Sequence, residues 1–325
     1  MEGDGRAMDV IVIMPVYEDR ESCRLLLKDV ARQCSTPPYI VVVDDGALHD
    51  VPSSEIIAEA GLSGEVVHLT RNVGHQRAIA AGLTYIAERH DARTVVIMDA
   101  DGEDRPEYIG PLLDTLRNDD VDVVVAERRR RSEPWSFKIF YALYRAVFFM
   151  LTGHPIRFGN FSALSMRSVK RLTAMPELWI HIPACLIVSR LRIGKVESDR
   201  GTRYAGRSRM NFLGLLLHGL RSMMVFAEDV LVRVGVVCAV LCVLAVLLLV
   251  VAVTLKLAGF ATPGWFTTAV GVLILIVMQA GVLTFLLLLI SGVVRTGLPM
   301  PQVVLDKLID RVEKTGETGG GAQVS

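Results

Sequence analysis

The stretch Val95–Glu107, VVIMDADGEDRPE, joins a short apolar run to an acidic turn. Apolar runs of this length, rich in β-branched residues, are typical of buried strands. Asp99 and Asp101 lie two positions apart just beyond the run, and they can converge on one hard cation where the chain turns. Glu103 and Asp104 add oxygen ligands nearby. The pattern predicts a Mg²⁺ or Mn²⁺ site held partly by substrate phosphates, with a solvated acidic turn as the alternative.

Similar apolar runs precede and follow this stretch, and helix-like segments separate them. The runs are Val10–Met14, Ile40–Val43, Val66–Leu69 and Val121–Val125, with helix-like segments at Glu21–Gln33 and Gln76–Arg89. Such alternation predicts an α/β fold with a mostly parallel sheet and helices on both faces. Ligands in these folds bind beyond the carboxyl ends of the strands. The informative residues are therefore Pro15-Val16-Tyr17, Asp44-Asp45-Gly46, Arg71-Asn72, Asp99-Ala100-Asp101 and Glu127-Arg128.

The second of these strand ends has the chemistry of a nucleotide contact. One carboxylate of Asp44-Asp45-Gly46 can accept a hydrogen bond from a base or ribose, and Gly46 permits close approach of the backbone. The sequence contains neither GxGxxG nor GxxxxGK[ST]. Neither a dinucleotide fingerprint nor a P-loop therefore competes for this role.

The composition is too apolar for an ordinary soluble chain. Of the 325 residues, 51% are hydrophobic and 22% charged, and the mean hydropathy is +0.42. Lys plus Arg and Asp plus Glu each number 35, so no basic excess points to nucleic acid. Five scattered cysteines without a CxxC pair favour a reducing, cytosolic setting for the polar part. The opening MEGDGRAMD predicts no cleavable secretion signal.

The excess of apolar residues is concentrated near the C-terminal end. Val234–Leu255 and Leu257–Val294 carry no charge and are separated by Lys256. Each is long enough to span a bilayer, which takes about 20 residues. We expect a transmembrane hairpin turning at residues 261–264, with a pair of buried core helices as the alternative. Arginines flank the outer ends, so the positive-inside rule places both termini in the cytoplasm of an integral membrane protein, in the plasma or inner membrane.

The segments before and after the hairpin give weaker indications of their structure. Asn211–Glu228 predicts an interfacial helix on the membrane, with an amphipathic core helix as the alternative. After Pro301 comes a short amphipathic segment, Val303–Lys314, and then a Gly-rich tail expected to be disordered. The predicted organisation is a cytosolic domain over residues 1–210, an interfacial helix over 211–232, a transmembrane hairpin over 233–295 and a cytosolic tail over 296–325.

Four ordered motifs, MPVYED, VVVDDG, RNVGHQRAIAAG and MDADGEDRPE, carry a family resemblance. They resemble the family 2 glycosyltransferases of GT-A fold, over residues 8 to 210. Together with the two spans, they make the chain similar to the polyprenyl-phosphate glycosyltransferases, the dolichyl-phosphate mannose synthase group. The resemblance implies a metal-dependent, inverting transfer from a nucleotide-diphosphate sugar, UDP- or GDP-linked, to a polyprenyl phosphate in the membrane. A homo-oligomer is an open alternative to a monomer.

The resemblance also implies roles for individual residues. The nucleotide-binding residues would be Pro15, Tyr17, Asp19, Val43, Asp45, Asp99 and Ala100. Asp99, Asp101 and Glu103 would hold the metal, and the catalytic residues would be Asp101, Arg128 and Arg203. Asn160, Ser208 and Arg209 would contact acceptor or sugar. Glu18 and Asp19 stand where the family usually has Asn and Glu, and Gly102-Glu103 replaces the common Leu-Gln.

One departure from the family bears on mechanism. Asn160 stands where relatives often have Asp, and an amide cannot serve as a general base. A phosphate acceptor is already anionic at neutral pH, so Asn160 is expected to position acceptor or sugar. His75, His154 and His181 lack metal-ligand spacing and are expected to be structural. The alternatives are a degenerate domain acting as a membrane scaffold, and a transferase to another lipid or to a polysaccharide acceptor.

Overall fold

The computed structural model describes residues 8–128, 135–155, 158–204, 219–260, 264–295 and 305–316. Within these ranges the chain forms two compact units. The first unit is built from the described parts of residues 1–134, 156–225 and 301–325, and the second from those of residues 135–155 and 226–300.

The first unit alternates strands and helices along the chain. Its strands are β1 Met8–Val16, β2 Tyr39–Asp44, β3 Gly64–Leu69, β4 Ala92–Ile97, β5 Val123–Arg128, β6 Phe158–Ser165, β7 Ile193–Ser198 and β8 Ile309–Lys314. Its helices are α1 Arg20–Gln33, α2 Ser54–Glu59, α3 His75–Arg89, α4 Ile109–Asn118, α6 Met166–Thr173 and α7 Ile182–Val188. Single helical turns occur at Pro106–Tyr108, Pro176–Trp179 and Leu305–Leu308. Helix α5, Trp135–Thr152, belongs to the second unit.

These strands form one eight-stranded sheet in the order β7-β5-β6-β4-β1-β2-β3-β8. Parallel pairs join β1 to β2 and β4, β2 to β3, and β5 to β7. Antiparallel pairs join β6 to β4 and β5, and β8 to β3. The predicted α/β fold with a mostly parallel sheet is confirmed, and β1 to β5 account for the five predicted apolar runs.

The core lies on both faces of the sheet because successive strand side chains point to opposite faces. In β1, Ile11 and Ile13 join the core cluster beneath α3, whereas Val12 and Met14 join the cluster that includes α1. All four side chains are fully buried. Burial on both faces explains why these strands are continuous apolar runs in the sequence and not alternating ones.

The register of the central strands brings the candidate residues to one edge of the sheet. Val16 of β1 pairs with Asp44 of β2, and Ile13 pairs with Ile97 of β4. The loops that follow β1, β2 and β4 therefore begin side by side. This is the edge at which a parallel α/β sheet binds ligands.

The C-terminal strand β8 is a feature that the sequence pattern did not reveal. The sequence predicts Val303–Lys314 only as an amphipathic segment outside the transferase domain, but Ile309–Lys314 pairs with β3 as an edge strand of the sheet. Leu305 and Ile309 anchor it in the core. The predicted disordered tail begins at Thr315, which is described and is hydrogen-bonded to Gly64; residues 317–325 lie outside the described part of the chain.

The second unit contains α5 and two long helices, Ala227–Leu257 and Trp265–Arg295. Ala227–Leu257 and Trp265–Ile290 are candidate membrane spans by length and composition. Only 17% of the most apolar part of the first span is buried, and none of that of the second, which argues against the alternative of buried core helices. The predicted interfacial helix falls partly outside the described residues, since the description resumes at residue 219 and residues 219–224 are helical.

Candidate functional site

An acidic loop follows β4 and is folded by its own carboxylates. The Asp104 carboxylate accepts a hydrogen bond from the Asp99 amide at 3.0 Å, and the Asp101 carboxylate accepts one from the Glu103 amide at 2.9 Å. Gly102, between them, has a φ of +86° and lies under the Tyr204 ring, where a Cβ would come within 2.4 Å of it. The turn therefore requires glycine at position 102 and presents Asp99 and Asp101 at the end of the strand.

Residues 200–204 lie across this acidic loop. Arg203 forms an ion pair with Asp101, and Arg200 forms one with Glu103 at 2.5 Å. The backbone reinforces the contact, because the Gly201 and Tyr204 amides donate to the Glu103 and Asp101 carbonyls at 2.8 and 3.1 Å. Burial disfavours the charged form of Arg203, but the hydrogen bond and charge of Asp101 outweigh it and raise its pKa. We call residues 200–204 the arginine strap.

The acidic loop has the chemistry of a metal site, although its carboxylates are engaged within the protein. Asp99 and Asp101 offer the hard oxygen ligands that Mg²⁺ and Mn²⁺ prefer, and two protein carboxylates plus substrate phosphates suffice for such ions. Among the described residues, no group of three His, Cys, Asp or Glu side chains is arranged to hold a metal. The predicted third ligand, Glu103, is paired with Arg200. The residues fit a cation held by Asp99 and Asp101. Binding of that cation would require Asp101 to leave its ion pair with Arg203.

His75, for which the sequence predicts a structural role, contacts the same loop. Its Nε2 lies 3.1 Å from Asp99 Oδ1 and 3.0 Å from Asn160 Nδ2. Burial lowers the pKa of His75, but the charge of Asp99 and its hydrogen bond outweigh this and raise it. By contrast, His181 caps α7 by accepting a hydrogen bond from the Ala184 amide at 3.2 Å, which fits the structural role expected of it.

Asn160 is held in one orientation by Gln76. The Ile182 amide donates to Gln76 Oε1 at 2.8 Å, which turns the Gln76 amide group towards Asn160. Gln76 Nε2 then donates to Asn160 Oδ1 at 3.0 Å. Asn160 Nδ2 consequently faces His75, in the vicinity of Asp99. Asn160 thus has the fixed geometry of a positioning group.

The carboxylate of Asp45 shapes the turn after β2. Asp45 is almost fully buried and accepts hydrogen bonds from the Val73 and Gly74 amides at 2.7 and 3.0 Å. Burial raises the pKa of Asp45 and outweighs these two hydrogen bonds. Gly46 beside it has a φ of +71°, and a Cβ there would come within 2.5 Å of the backbone of Arg71. The turn after β2 is therefore fixed against the start of α3.

Glu18 is a residue whose role the sequence did not reveal. It adopts a φ of 49°, and its carboxylate accepts hydrogen bonds from the Leu48 and Asp50 amides at 2.7 Å and from the His49 amide at 3.2 Å. These hydrogen bonds, led by that of Leu48, lower the pKa of Glu18. The residue thus joins the loop after β1 to the loop after β2.

The other predicted site residues fall into three groups. Pro15, Tyr17, Asp19 and Ala100 follow or end the central strands, with Tyr17 42% exposed. Val43 is fully buried in the core, so its main chain is the part available to a ligand. The backbone of Arg128 ends β5, but its side chain, like Ser208 and Arg209, lies outside the described part of the chain.

Comparison with known proteins identifies the class to which this fold and site belong. The profile of Glycosyl transferase family 2 matches residues 11–173, just over half of the chain and the segment that carries the acidic loop. The chain belongs to glycosyltransferase family 2.

Several known proteins are similar to the chain. The chain is 29% identical over 275 residues to the undecaprenyl-phosphate 4-deoxy-4-formamido-L-arabinose transferase of Proteus mirabilis, covering 79% of this chain and 81% of the relative. It is 25% identical to the glycosyltransferase sll0501 of Synechocystis, covering 82% and 85%. Among solved structures, glucosyl-3-phosphoglycerate synthase from Mycobacterium tuberculosis with Mn²⁺ and UDP is similar at 16% identity, with a TM-score of 0.49 and coverage of 70% and 80%.

Proposed function

We propose that the protein transfers a sugar from a nucleotide-diphosphate sugar to the phosphate of a polyprenyl lipid. The observation that carries the proposal is the acidic loop of Asp99 and Asp101, which lies at the ligand-binding edge of a family 2 fold in a chain with two candidate membrane spans. Similarity to undecaprenyl-phosphate sugar transferases over 79% of the chain supports the lipid phosphate as acceptor.

The proposed reaction is a direct displacement at the anomeric carbon of the sugar. The acceptor phosphate oxygen forms a bond to the anomeric carbon while the bond from that carbon to the diphosphate breaks, with inversion, and the nucleoside diphosphate leaves. Asp99 and Asp101 would hold Mg²⁺ or Mn²⁺, and the charge of the cation would offset that of the leaving diphosphate. Arg203, released from Asp101, would stabilise the same developing charge, and Arg128 would contact the acceptor phosphate.

Calorimetry distinguishes this proposal from the alternative of a membrane scaffold. UDP and GDP are titrated into the full chain in detergent, with and without Mn²⁺. A transferase binds one of the two nucleotides in a Mn²⁺-dependent manner, and Asp99→Asn weakens that binding because it removes a metal ligand. A chain that binds neither nucleotide under any of these conditions is not the proposed enzyme.

We expect the Asn160 side chain to position the acceptor or sugar without acting as a general base. Asn160→Ala should weaken substrate binding without abolishing turnover, and Asn160→Asp should raise turnover by no more than a small factor. The acceptor phosphate, with a second pKa of about 6, is mostly ionised at pH 7. General base catalysis contributes about 10²- to 10⁴-fold where a proton must be removed.

Steady-state kinetics against pH checks this expectation. The wild-type rate should rise with pH through an apparent pKa of about 6 and then level, because the acceptor's own ionisation supplies the nucleophile. A gain of about a hundredfold or more in Asn160→Asp would contradict the expectation and identify a missing base.

The proposed topology places both termini in the cytosol and the turn near Gly259–Trp265 on the far side of the membrane. The test introduces single cysteines at Thr262 and Ser325 in a chain whose five native cysteines are replaced by serine. An impermeant maleimide applied from outside should label position 262 but not position 325. Labelling of both positions from the same side is the result that would rule the topology out.

A further inference from the structure

The C-terminal strand returns to the sheet after the second long helix. Ile309–Lys314 pairs antiparallel with β3, and the Thr70 amide donates to the Leu308 carbonyl at 2.9 Å. The Thr315 amide and hydroxyl both lie within hydrogen-bond distance of the Gly64 carbonyl, at 2.9 and 3.1 Å. The strand is therefore fixed along the length of β3, including the carboxyl end that lies towards the site.

Glu313 on this strand contacts groups beyond its own strand. Its Oε1 lies 3.3 Å from His68 Nε2, and its Oε2 accepts a hydrogen bond from the Ser54 amide at 3.4 Å. Arg311 Nε donates to the same carboxylate at 3.2 Å. The carboxylate thus joins β8 to β3 and to the beginning of α2.

His68 continues the connection towards the candidate site. Its side chain is 3% exposed, and its Nδ1 lies 2.8 Å from Asp44 Oδ2. The other Asp44 oxygen accepts a hydrogen bond from the Ala47 amide at 2.9 Å and so fixes the turn that contains Asp45 and Gly46. A series of polar contacts therefore runs from Glu313 through His68 and Asp44 to the turn after β2. Its first member, between Glu313 Oε1 and His68 Nε2, is a close approach at 3.3 Å without hydrogen-bond geometry.

Packing of β8 against β3 does not by itself require buried polar groups such as those of this series. Taking polar and charged groups out of water is costly unless each is paired, so a buried His between two carboxylates is an expensive way to hold two strands together. The series ends at a turn on the ligand-binding edge of the sheet. Outer residues of this kind orient the groups that contact ligand.

We propose that Glu313 is a positioning residue for the nucleotide, acting through His68 and Asp44 on the turn from Asp45 to Ala47. The inference rests on the proposed function, because it assigns that turn to nucleotide binding. The strand that follows the membrane hairpin is then a part of the donor site, and the cytosolic domain is incomplete without it.

The test measures the Kd of the nucleotide, UDP or GDP with Mn²⁺, by calorimetry on the full chain. Glu313→Ala should raise the Kd about tenfold, consistent with the loss of interactions to a charged group. Glu313→Gln keeps an acceptor for the Ser54 amide and should recover part of the affinity. Asp310→Ala is the control, since Asp310 lies on the same strand, is exposed and pairs with Arg311.

The outcomes separate positioning from a purely structural role. A positioning role raises the donor KM and leaves the acceptor KM unchanged, whereas a structural role lowers the unfolding temperature with an unchanged Kd. If Glu313→Ala does not fold, His68→Gln takes its place with the same expectation. A Kd within twofold of wild type in folded Glu313→Ala, or in folded His68→Gln where Glu313→Ala does not fold, overturns this inference alone. Failure of the wild-type chain to bind either nucleotide overturns the proposed function as well.

Discussion

Asp101→Asn is expected to reduce glycosyl transfer by about 10²- to 10³-fold or more while leaving the fold intact. Asp101 lies on a loop at the edge of the sheet, and its side chain is 17% exposed, so the substitution removes a negative ligand without opening a cavity. The amide retains an oxygen that can accept the Glu103 N–H, so the turn is preserved. The lost charge is the one proposed to hold the cation beside the leaving diphosphate.

The measurement is turnover of purified full-length chain, with far-UV circular dichroism and thermal unfolding on the same samples. Asp114→Asn is the matched control, because Asp114 is exposed on α4 and the same chemical change there should leave turnover unaltered. Activity of Asp101→Asn within a few-fold of wild type would rule out the metal role of this carboxylate.

Arg203→Ala is expected to change catalysis and metal binding in opposite directions. Turnover should fall by about 10²-fold, because a guanidinium proposed to stabilise the developing diphosphate charge is lost. The Kd for Mn²⁺ in the absence of nucleotide should fall, because Arg203 pairs with Asp101 and competes with the cation for the same carboxylate. A residue that only braces the acidic loop would not tighten metal binding when removed.

Mn²⁺ titrations followed by electron paramagnetic resonance measure the metal affinity independently of turnover. Arg105→Ala is the control, since Arg105 is near the same loop but pairs with Glu107 at 2.8 Å. Unchanged or weaker Mn²⁺ binding in Arg203→Ala would contradict the competition between the arginine strap and the metal.

The central strands were predictable from the sequence because they are buried on both faces. VIVIM, IVVV and VVIM can be read as strands without knowledge of their neighbours, and the residues after them mark the ligand edge. The sequence alone therefore indicates that Asp99 and Asp101 lie in an acidic loop at that edge. The two candidate spans were likewise evident, because charge-free segments of that length are rare in soluble domains.

The contacts that shape the site were not predictable, because they join distant parts of the chain. IDRVEK in β8 carries alternating charges and becomes a strand through pairing with β3, so that Gly64 and Thr315 bond across 251 positions. In the sequence, Glu18 is only a substitution for the usual family residue. Its hydrogen bonds to the amides of residues 48–50 occur with a positive φ of 49° at Glu18, which the sequence does not indicate. The pairing of Arg200 with Glu103 likewise has no spacing signature.

The most direct measurement is a transfer assay with radiolabelled nucleotide sugars, UDP- and GDP-linked, and a polyprenyl phosphate. The purified full chain with Mg²⁺ or Mn²⁺ is expected to produce a labelled glycosyl polyprenyl phosphate from at least one donor, and the product should be absent with Asp101→Asn. If nucleotide sugar is bound but the label passes to no polyprenyl phosphate under any of these conditions, the proposed acceptor is contradicted.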